Sequence, residues 1–161
     1  MIIGHSTTPE IRTADGIVEA TPTLDTGAYA DGDLMADSTE IANALAETGG
    51  PAILVSLTVE DKADKGGAFH VVFLRSSVDM GSLNDAPDPT DTEGEEILGY
   101  VSVGASHYID LGAFQIATIE GLALELEPSS GTSLYFALIS NGNTETYADG
   151  DLVFKFGFLR G

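Results

Sequence analysis

Four aspartates stand in a six-residue sequence that occurs twice, and their spacing is the most specific chemical feature of the chain. The sequence Tyr-Ala-Asp-Gly-Asp-Leu occupies residues 29–34 and again residues 147–152. The aspartates are Asp31, Asp33, Asp149 and Asp151. Carboxylate oxygens are the ligands that Ca²⁺ prefers, so the two copies could form one calcium site if the fold brought them together. Neither copy continues into the twelve-residue loop with a terminal Glu that an EF-hand needs.

The same repeat also has a purely conformational explanation. Asp-Gly favours a turn with positive φ at the glycine, and Asp side chains accept hydrogen bonds from nearby backbone amides. An apolar run follows each copy, which predicts that the turn leads into a strand. Turn chemistry alone explains both copies, so we favour it over a metal site and predict no bound metal or other cofactor.

Histidine-dependent chemistry would have to use His5, His70 or His107, because the chain has only these three histidines. Neither His-x-His nor His-Glu-x-x-His occurs, and there is no Gly-x-Ser-x-Gly elbow, phosphate loop or dinucleotide fingerprint. The chain also has no Cys, which excludes a thiolate nucleophile or ligand. We therefore predict that the protein is not an enzyme.

The charge of the chain is strongly one-sided, with a formal net charge of −20 and only six basic residues. Proteins bind nucleic acids and anionic membranes through clustered basic residues, so we expect neither as a partner. The densest acidic run comprises Asp85, Asp88, Asp91, Glu93, Glu95 and Glu96. A solvated loop is the favoured interpretation of this run, with a cation or a basic partner as the alternatives. No segment approaches the ~18 consecutive apolar residues of a membrane span.

Short runs of β-branched residues, and runs in which apolar and polar residues alternate, predict the strands that position these side chains. The predicted strands are 52–60, 68–75, 97–103, 107–119 with a bend at Gly112, 122–126, 133–140 and 152–159. Residues 62–67 are predicted to form a hairpin loop, and residues 78–96 the longest loop, with a possible helical turn at 93–98. Residues 38–46 have the pattern of a short helix, although residues 39–41 fit an edge strand equally well.

About eight short strands at roughly ten-residue spacing predict an all-β fold, a single-domain antiparallel β-sandwich of jelly-roll type. We assign residues 21–161 to this domain and residues 1–20 to an N-terminal arm. The two copies of the repeat begin an early and a late strand, which commonly pair in one sheet of a jelly roll.

Several stretches of the chain resemble small acidic proteins from tailed-phage virions. The resembling stretches are residues 24–33, 39–44, 97–99 and 157–159. The resemblance covers residues 23–159 in order and texture, and it includes no catalytic signature. It implies a β-sandwich virion protein that decorates or cements the outer surface of a capsid. It further implies a homo-oligomer, expected to be a trimer, with the major capsid protein as partner.

Two other classes of protein remain open. One is a host-surface glycan-binding module of a phage fibre or spike, with or without calcium. It would be recognised by a cleft lined by Tyr29, Tyr108, Tyr135 or Tyr147 with acidic neighbours. The other is a glycan hydrolase, which needs two carboxylates about 5 to 10 Å apart across a groove. The absence of Trp weighs against both, because sugar-binding clefts usually depend on aromatic platforms.

Overall fold

Residues 16–160, which the computed structural model describes, form ten β-strands and two single helical turns. The strands are β1 (Ile17–Ala20), β2 (Leu34–Ile41), β3 (Ala52–Asp61), β4 (Phe69–Leu74), β5 (Ile97–Val103), β6 (Tyr108–Asp110), β7 (Gln115–Ile119), β8 (Leu124–Leu126), β9 (Leu134–Ser140) and β10 (Leu152–Arg160). The helical turns are α1 (Asp91–Gly94) and a 3₁₀ turn (Ala105–His107). The predicted all-β sandwich is confirmed, with ten strands instead of about eight. The jelly-roll connectivity stays a prediction.

The strands form two antiparallel sheets. The six-stranded sheet has the order β1-β10-β3-β7-β6, and β8 also pairs with β3. The four-stranded sheet has the order β2-β9-β4-β5. The predicted hairpin at residues 62–67 is wrong, because β3 and β4 lie in different sheets and the loop crosses from one sheet to the other. The expected pairing of the two repeat-led strands is also wrong, because β2 and β10 lie in different sheets.

The core between the sheets comes from the two-residue period of the strands. On β10, residues Phe154, Phe156 and Phe158 face inward and belong to the main hydrophobic cluster. Phe136 of the opposite sheet lies with its ring centroid 5.1 Å from those of both Phe154 and Phe156. Phe73 lies 5.8 Å from Phe156. Each such fully buried side chain stabilises the fold by about 1.5–3 kcal/mol relative to an exposed one.

The segment with two interpretations, residues 38–46, proves to continue a strand. Thr39, Glu40 and Ile41 form the end of β2 and pair with β9, so the edge-strand interpretation is right and the helix is wrong. Pairing with β9 buries Ile41 completely, which outweighs a weak local helix preference.

The predicted single strand 107–119 is a hairpin. β6 and β7 pair with each other, and the chain reverses through Gly112, which has φ 95°. Asp110 Oδ1 accepts a hydrogen bond from Gly112 N at 2.7 Å, which fixes the turn. The helical turn expected at 93–98 begins earlier, because Thr90 caps it and Glu93 completes a capping box.

Most of the predicted N-terminal arm, residues 1–15, lies outside the described residues. The last four residues of the arm form β1, which pairs with β10 and places Ile17 opposite Gly157. Within residues 16–160, no helix has the length and apolar character needed to cross a membrane.

Residues 75–96, here called the acidic loop, cover the outer face of the four-stranded sheet. Met80 is buried there with Leu34, Val72, Leu74 and Ala137, and Val78 and Leu83 pack against this second cluster. Two backbone bonds tie the loop to the first residue of β2: Leu34 N donates to Asp85 O, and Asn84 N donates to Leu34 O, both at 2.8 Å. The loop therefore forms a third layer over that half of the sandwich.

Candidate functional site

The two copies of the repeat fold into the same turn. Asp33 Oδ2 accepts a hydrogen bond from Ala30 N at 2.7 Å, and Asp151 Oδ2 accepts one from Ala148 N at 2.6 Å. Gly32 and Gly150 both have φ 87°, a conformation that favours glycine. The same residues therefore do the same conformational work in both copies.

Each copy also attaches its strand to a neighbour by an equivalent backbone bond. Asp33 O accepts from Ser140 N, and Asp151 O accepts from Lys62 N, both at 2.8 Å. The following leucines, Leu34 and Leu152, are completely buried. The repeat is thus a strand-start device that is used once in each sheet.

The first aspartate of each copy holds a distant loop. Asp31 Oδ1 accepts from Gly142 N at 2.7 Å, and Asp149 Oδ1 accepts from Leu24 N at 3.3 Å. All four candidate calcium ligands therefore accept a backbone amide, but only Asp33 and Asp151 accept one from their own turn, as the turn interpretation predicts. Within residues 16–160 no group of three or more His, Asp or Glu side chains is arranged to hold a metal ion.

Among residues 16–160 the most deeply buried carboxylate belongs to Asp61, which sequence reasoning did not single out. Its oxygens accept hydrogen bonds from Ala63 N at 3.0 Å, Lys65 N at 2.9 Å and Gly66 N at 2.7 Å. Burial raises the pKa of Asp61, whereas these three amide bonds act in the opposite direction. The carboxylate holds the loop that crosses between the sheets, which gives it a structural role.

The side chains of Tyr108 and Tyr147 are hydrogen bonded to the backbone of Gly67, which belongs to the same loop between the sheets. Gly67 N donates to Tyr147 Oη at 3.2 Å, and Tyr108 Oη donates to Gly67 O at 2.9 Å. A Cβ at Gly67 would collide with Tyr147 Oη and Asn143 Nδ2. Burial raises the pKa of both tyrosines well above the ordinary range. These groups form a polar network in which Gly67 and Tyr147 are buried and Tyr108 is half-buried.

The tyrosine cleft expected of a glycan-binding module does not form from the four named tyrosines. Tyr29 and Tyr147 are only 3% and 2% exposed. Tyr108 is bonded to Gly67, and Tyr135 packs against the cluster beneath the acidic loop. Burial, with the Asp25 carboxylate as a second cause, raises the pKa of Tyr29 to about 12.

The histidines make local contacts. His70 Nδ1 lies 2.8 Å from Ser102 Oγ, and the His70 ring stands edge-on to Tyr100 with centroids 5.6 Å apart. His107 Nδ1 accepts from Gly104 N at 2.9 Å and closes the 3₁₀ turn. His5 lies outside the described residues. In the described part of the chain, neither His70 nor His107 is hydrogen bonded to a carboxylate, as a catalytic triad would require.

The acidic loop contains an open depression of about 400 Å³. Its lining residues are Asp79, Gly81, Ser82, Asp88, Thr90 and Glu93. Glu93 Oε2 accepts from Thr90 N at 2.7 Å, and Asp79 Oδ1 accepts from Gly81 N at 2.9 Å. Of the other predicted acidic residues, Glu96 accepts from Ser76 Oγ at 2.6 Å, whereas the side chains of Asp85, Asp91 and Glu95 are exposed. These carboxylates shape the loop and give that side of the molecule its negative charge.

The outer face of the six-stranded sheet is different, because several of its large apolar side chains are exposed. Ile17 is 73% exposed, Ile109 62%, Leu159 49% and Ile53 39%. Two shallow depressions of about 230 and 340 Å³ meet at Leu159. We call this surface the bare face. It was missed in the sequence, although apolar residues at outward positions such as Ile53 and Leu159 were a readable signal.

No family model, curated protein or solved structure matches the chain significantly.

Proposed function

We propose that the protein is a structural component of a phage virion that decorates or cements the outer surface of the capsid as a homo-oligomer. In this arrangement the bare face makes the protein contacts, and the acidic loop faces solvent. The observation that supports the proposal is the contrast between the two outer faces of one sandwich. The acidic loop covers the centre of one face, where only Ile97 and Tyr100 at the β5 edge are exposed among the described large hydrophobic residues, and the other face exposes several large aliphatic side chains.

The two outer faces also differ in charge. The acidic loop carries seven carboxylates and one base, Arg75. A surface with this charge repels copies of itself and stays hydrated. Large aliphatic side chains exposed together on one face, in contrast, are a common mark of a protein contact. A part fixed to the outside of a particle needs both kinds of surface.

A structural role also fits the state of the titratable groups. The groups whose pKa values are raised, Asp61, Tyr29, Tyr108 and Tyr147, are buried or half-buried in the fold and line none of the three depressions described above. Catalytic acids and bases with perturbed pKa values usually face a cleft that a substrate can enter. We therefore propose a non-catalytic role.

Density-gradient sedimentation tests the proposal. Lysates of cells that naturally produce the chain are fractionated, and an antibody raised against the purified protein locates it. We expect the protein in the fractions that contain DNA-filled particles, with the antibody binding to the outside of intact particles. Recovery of the protein only among soluble cell proteins would contradict a virion role.

A further inference from the structure

We propose that the bare face binds the same face of a second copy of this chain, about a two-fold axis. The inference rests on the proposed function in taking this face as the contact surface, and it names the partner. It is carried by the arrangement of side chains on the face, by the distribution of charge and by the area available.

Strand registers place the outward side chains of the bare face in four rows. One row contains Glu60, Ile116 and Ile109, whereas Val153, at the β10 end of the same row, is only 5% exposed. The next row contains Glu19, Lys155, Thr58 and Thr118. The third contains Ile17, Gly157 and Ser56, and the fourth contains Leu159, Ile53 and Glu125. Exposed aliphatic side chains therefore lie on both sides of one polar row, with Glu60 among them on one side and Ser56 and Glu125 on the other.

The polar row contains both an acid and a base as direct cross-strand neighbours, Glu19 and Lys155. A surface with both signs of charge can be complementary to itself, because a two-fold axis brings the base of one copy toward the acid of the other. One patch is enough for such an isologous contact. A ring of three copies would need two different complementary patches on each copy.

Charge also selects this face over the opposite one. Each copy carries a net charge of −20, so the repulsion between two copies is smallest where acidic residues are few. The acidic loop brings seven carboxylates to the opposite side. The four rows of the bare face contain three, Glu19, Glu60 and Glu125, together with Lys155.

The area of the bare face predicts a reversible contact. Five strands at about 4.8 Å spacing and four rows about 6.8 Å apart span roughly 19 by 20 Å. The flat area is therefore about 400 Å² per copy, compared with the roughly 800 Å² per partner of a standard interface. We expect a dimer whose population depends on protein concentration.

Single-cysteine cross-linking tests the contact, since the natural chain has no Cys. Thr58→Cys places a thiol in the middle of the polar row. Thr92→Cys places one on the exposed surface of α1 and is the matched control. Under mild oxidation we expect a disulfide-linked dimer for Thr58→Cys and little for Thr92→Cys. Equal cross-linking of both variants, or a stronger product from Thr92→Cys, would overturn the proposal.

Sedimentation equilibrium of full-length variants supplies an independent test. Leu159→Glu puts a charge where the two depressions of the bare face meet, and Ile97→Glu puts the same charge on β5 of the other sheet. We expect the mass to fall by half for Leu159→Glu and to stay that of a dimer for Ile97→Glu, with unchanged circular dichroism for both. A natural chain that is monomeric at all concentrations, a trimeric mass, or equal loss for both variants would contradict the proposal.

The tests separate this inference from the proposed function. Particles that carry the protein while the purified chain is monomeric would leave the virion role standing and remove the face-to-face dimer. A dimer that uses the bare face but is missing from purified particles would remove the virion role and leave the face-to-face dimer standing.

Discussion

On the four-stranded sheet the outward side chains of Val72, Leu74 and Ala137 are buried beneath the acidic loop, whereas on the six-stranded sheet Ile17 and Leu159 point outward into solvent. Both sheets therefore have apolar residues on their outer surface, and the acidic loop covers those of the four-stranded sheet except Ile97 and Tyr100 at the β5 edge. The difference shows that apolar outward positions in a sandwich have two destinations. A long loop of the same chain can bury them, or another molecule can.

The largest expected effect comes from opening the covered face. Met80 is 2% exposed and packs in the cluster under the acidic loop, so Met80→Ala should lower the free energy of unfolding by about 2–5 kcal/mol. Leu159→Ala on the bare face is the matched control, and in dilute protein it should change that free energy by less than about 0.5 kcal/mol. Urea unfolding of both variants measures the difference. Equal losses would mean that the two faces do not differ in cover.

A smaller effect is expected where the chain crosses from one sheet to the other. Gly67→Ala adds a Cβ that collides with Tyr147 Oη and Asn143 Nδ2, so it should cost about 1–3 kcal/mol. Gly94→Ala is the control, because a Cβ there meets nothing within 4 Å. Thermal unfolding of the pair tests the packing of the polar network around Gly67. A Gly67→Ala protein as stable as the control would contradict it.

The two copies of the repeat should respond alike. Asp33→Ala and Asp151→Ala each remove one side-chain bond to a turn amide, and each should cost about 0.5–1.5 kcal/mol. EDTA and added Ca²⁺ should leave the unfolding midpoints of the natural protein and both variants unchanged. A calcium-dependent rise in the midpoint of the natural protein, lost in either variant, would restore the metal interpretation of the repeat.

The smallest expected effect on the free energy of unfolding at neutral pH comes from the buried tyrosines. The pKa of Tyr29 in the folded protein is about 12, above its ordinary value of 10.0, so the folded state favours the neutral phenol. The stability from this difference is complete below pH 10 and is lost as pH rises from 10 toward 12. Tyr108 and Tyr147 are shifted in the same direction.

Tyr29→Phe removes one of these titrations. Its urea-unfolding midpoint should therefore fall less steeply between pH 10 and 12 than that of the natural protein. Tyr100→Phe, at a position that is 65% exposed, should keep the natural slope. A Tyr29→Phe slope as steep as that of the Tyr100→Phe control would show that the Tyr29 phenol does not titrate as described.

The sequence predicted strands well where alternation was strong and local. The range 97–103 coincides with β5, and 52–60 differs from β3 by one residue. Prediction from the sequence failed where the conformation of a segment depends on pairing with another strand. The choice between helix and strand for Thr39 to Ile41 was decided by pairing with β9, and the fold of the 107–119 segment by pairing of β6 with β7.

Predictions about the candidate sites were likewise accurate for contacts within a short segment and inaccurate for contacts between distant segments. The turn role of Asp33 and Asp151 was readable because the hydrogen bonds span only three residues. The bare face was not predicted, because its rows join residues from β1, β10 and β3 that are far apart in the chain. The second cluster was partly readable, since Val78, Met80 and Leu83 are apolar residues within an acidic loop.

The measurement that tests the central claim most directly is the solution mass of the full-length protein, by light scattering over a range of concentrations, with and without EDTA. A bare face that binds a second copy predicts a dimeric mass at high concentration, a fall toward the monomer on dilution, and no effect of EDTA. A monomer at every concentration would contradict that use of the bare face, and an oligomer that dissociates in EDTA would show that a cation holds the copies together.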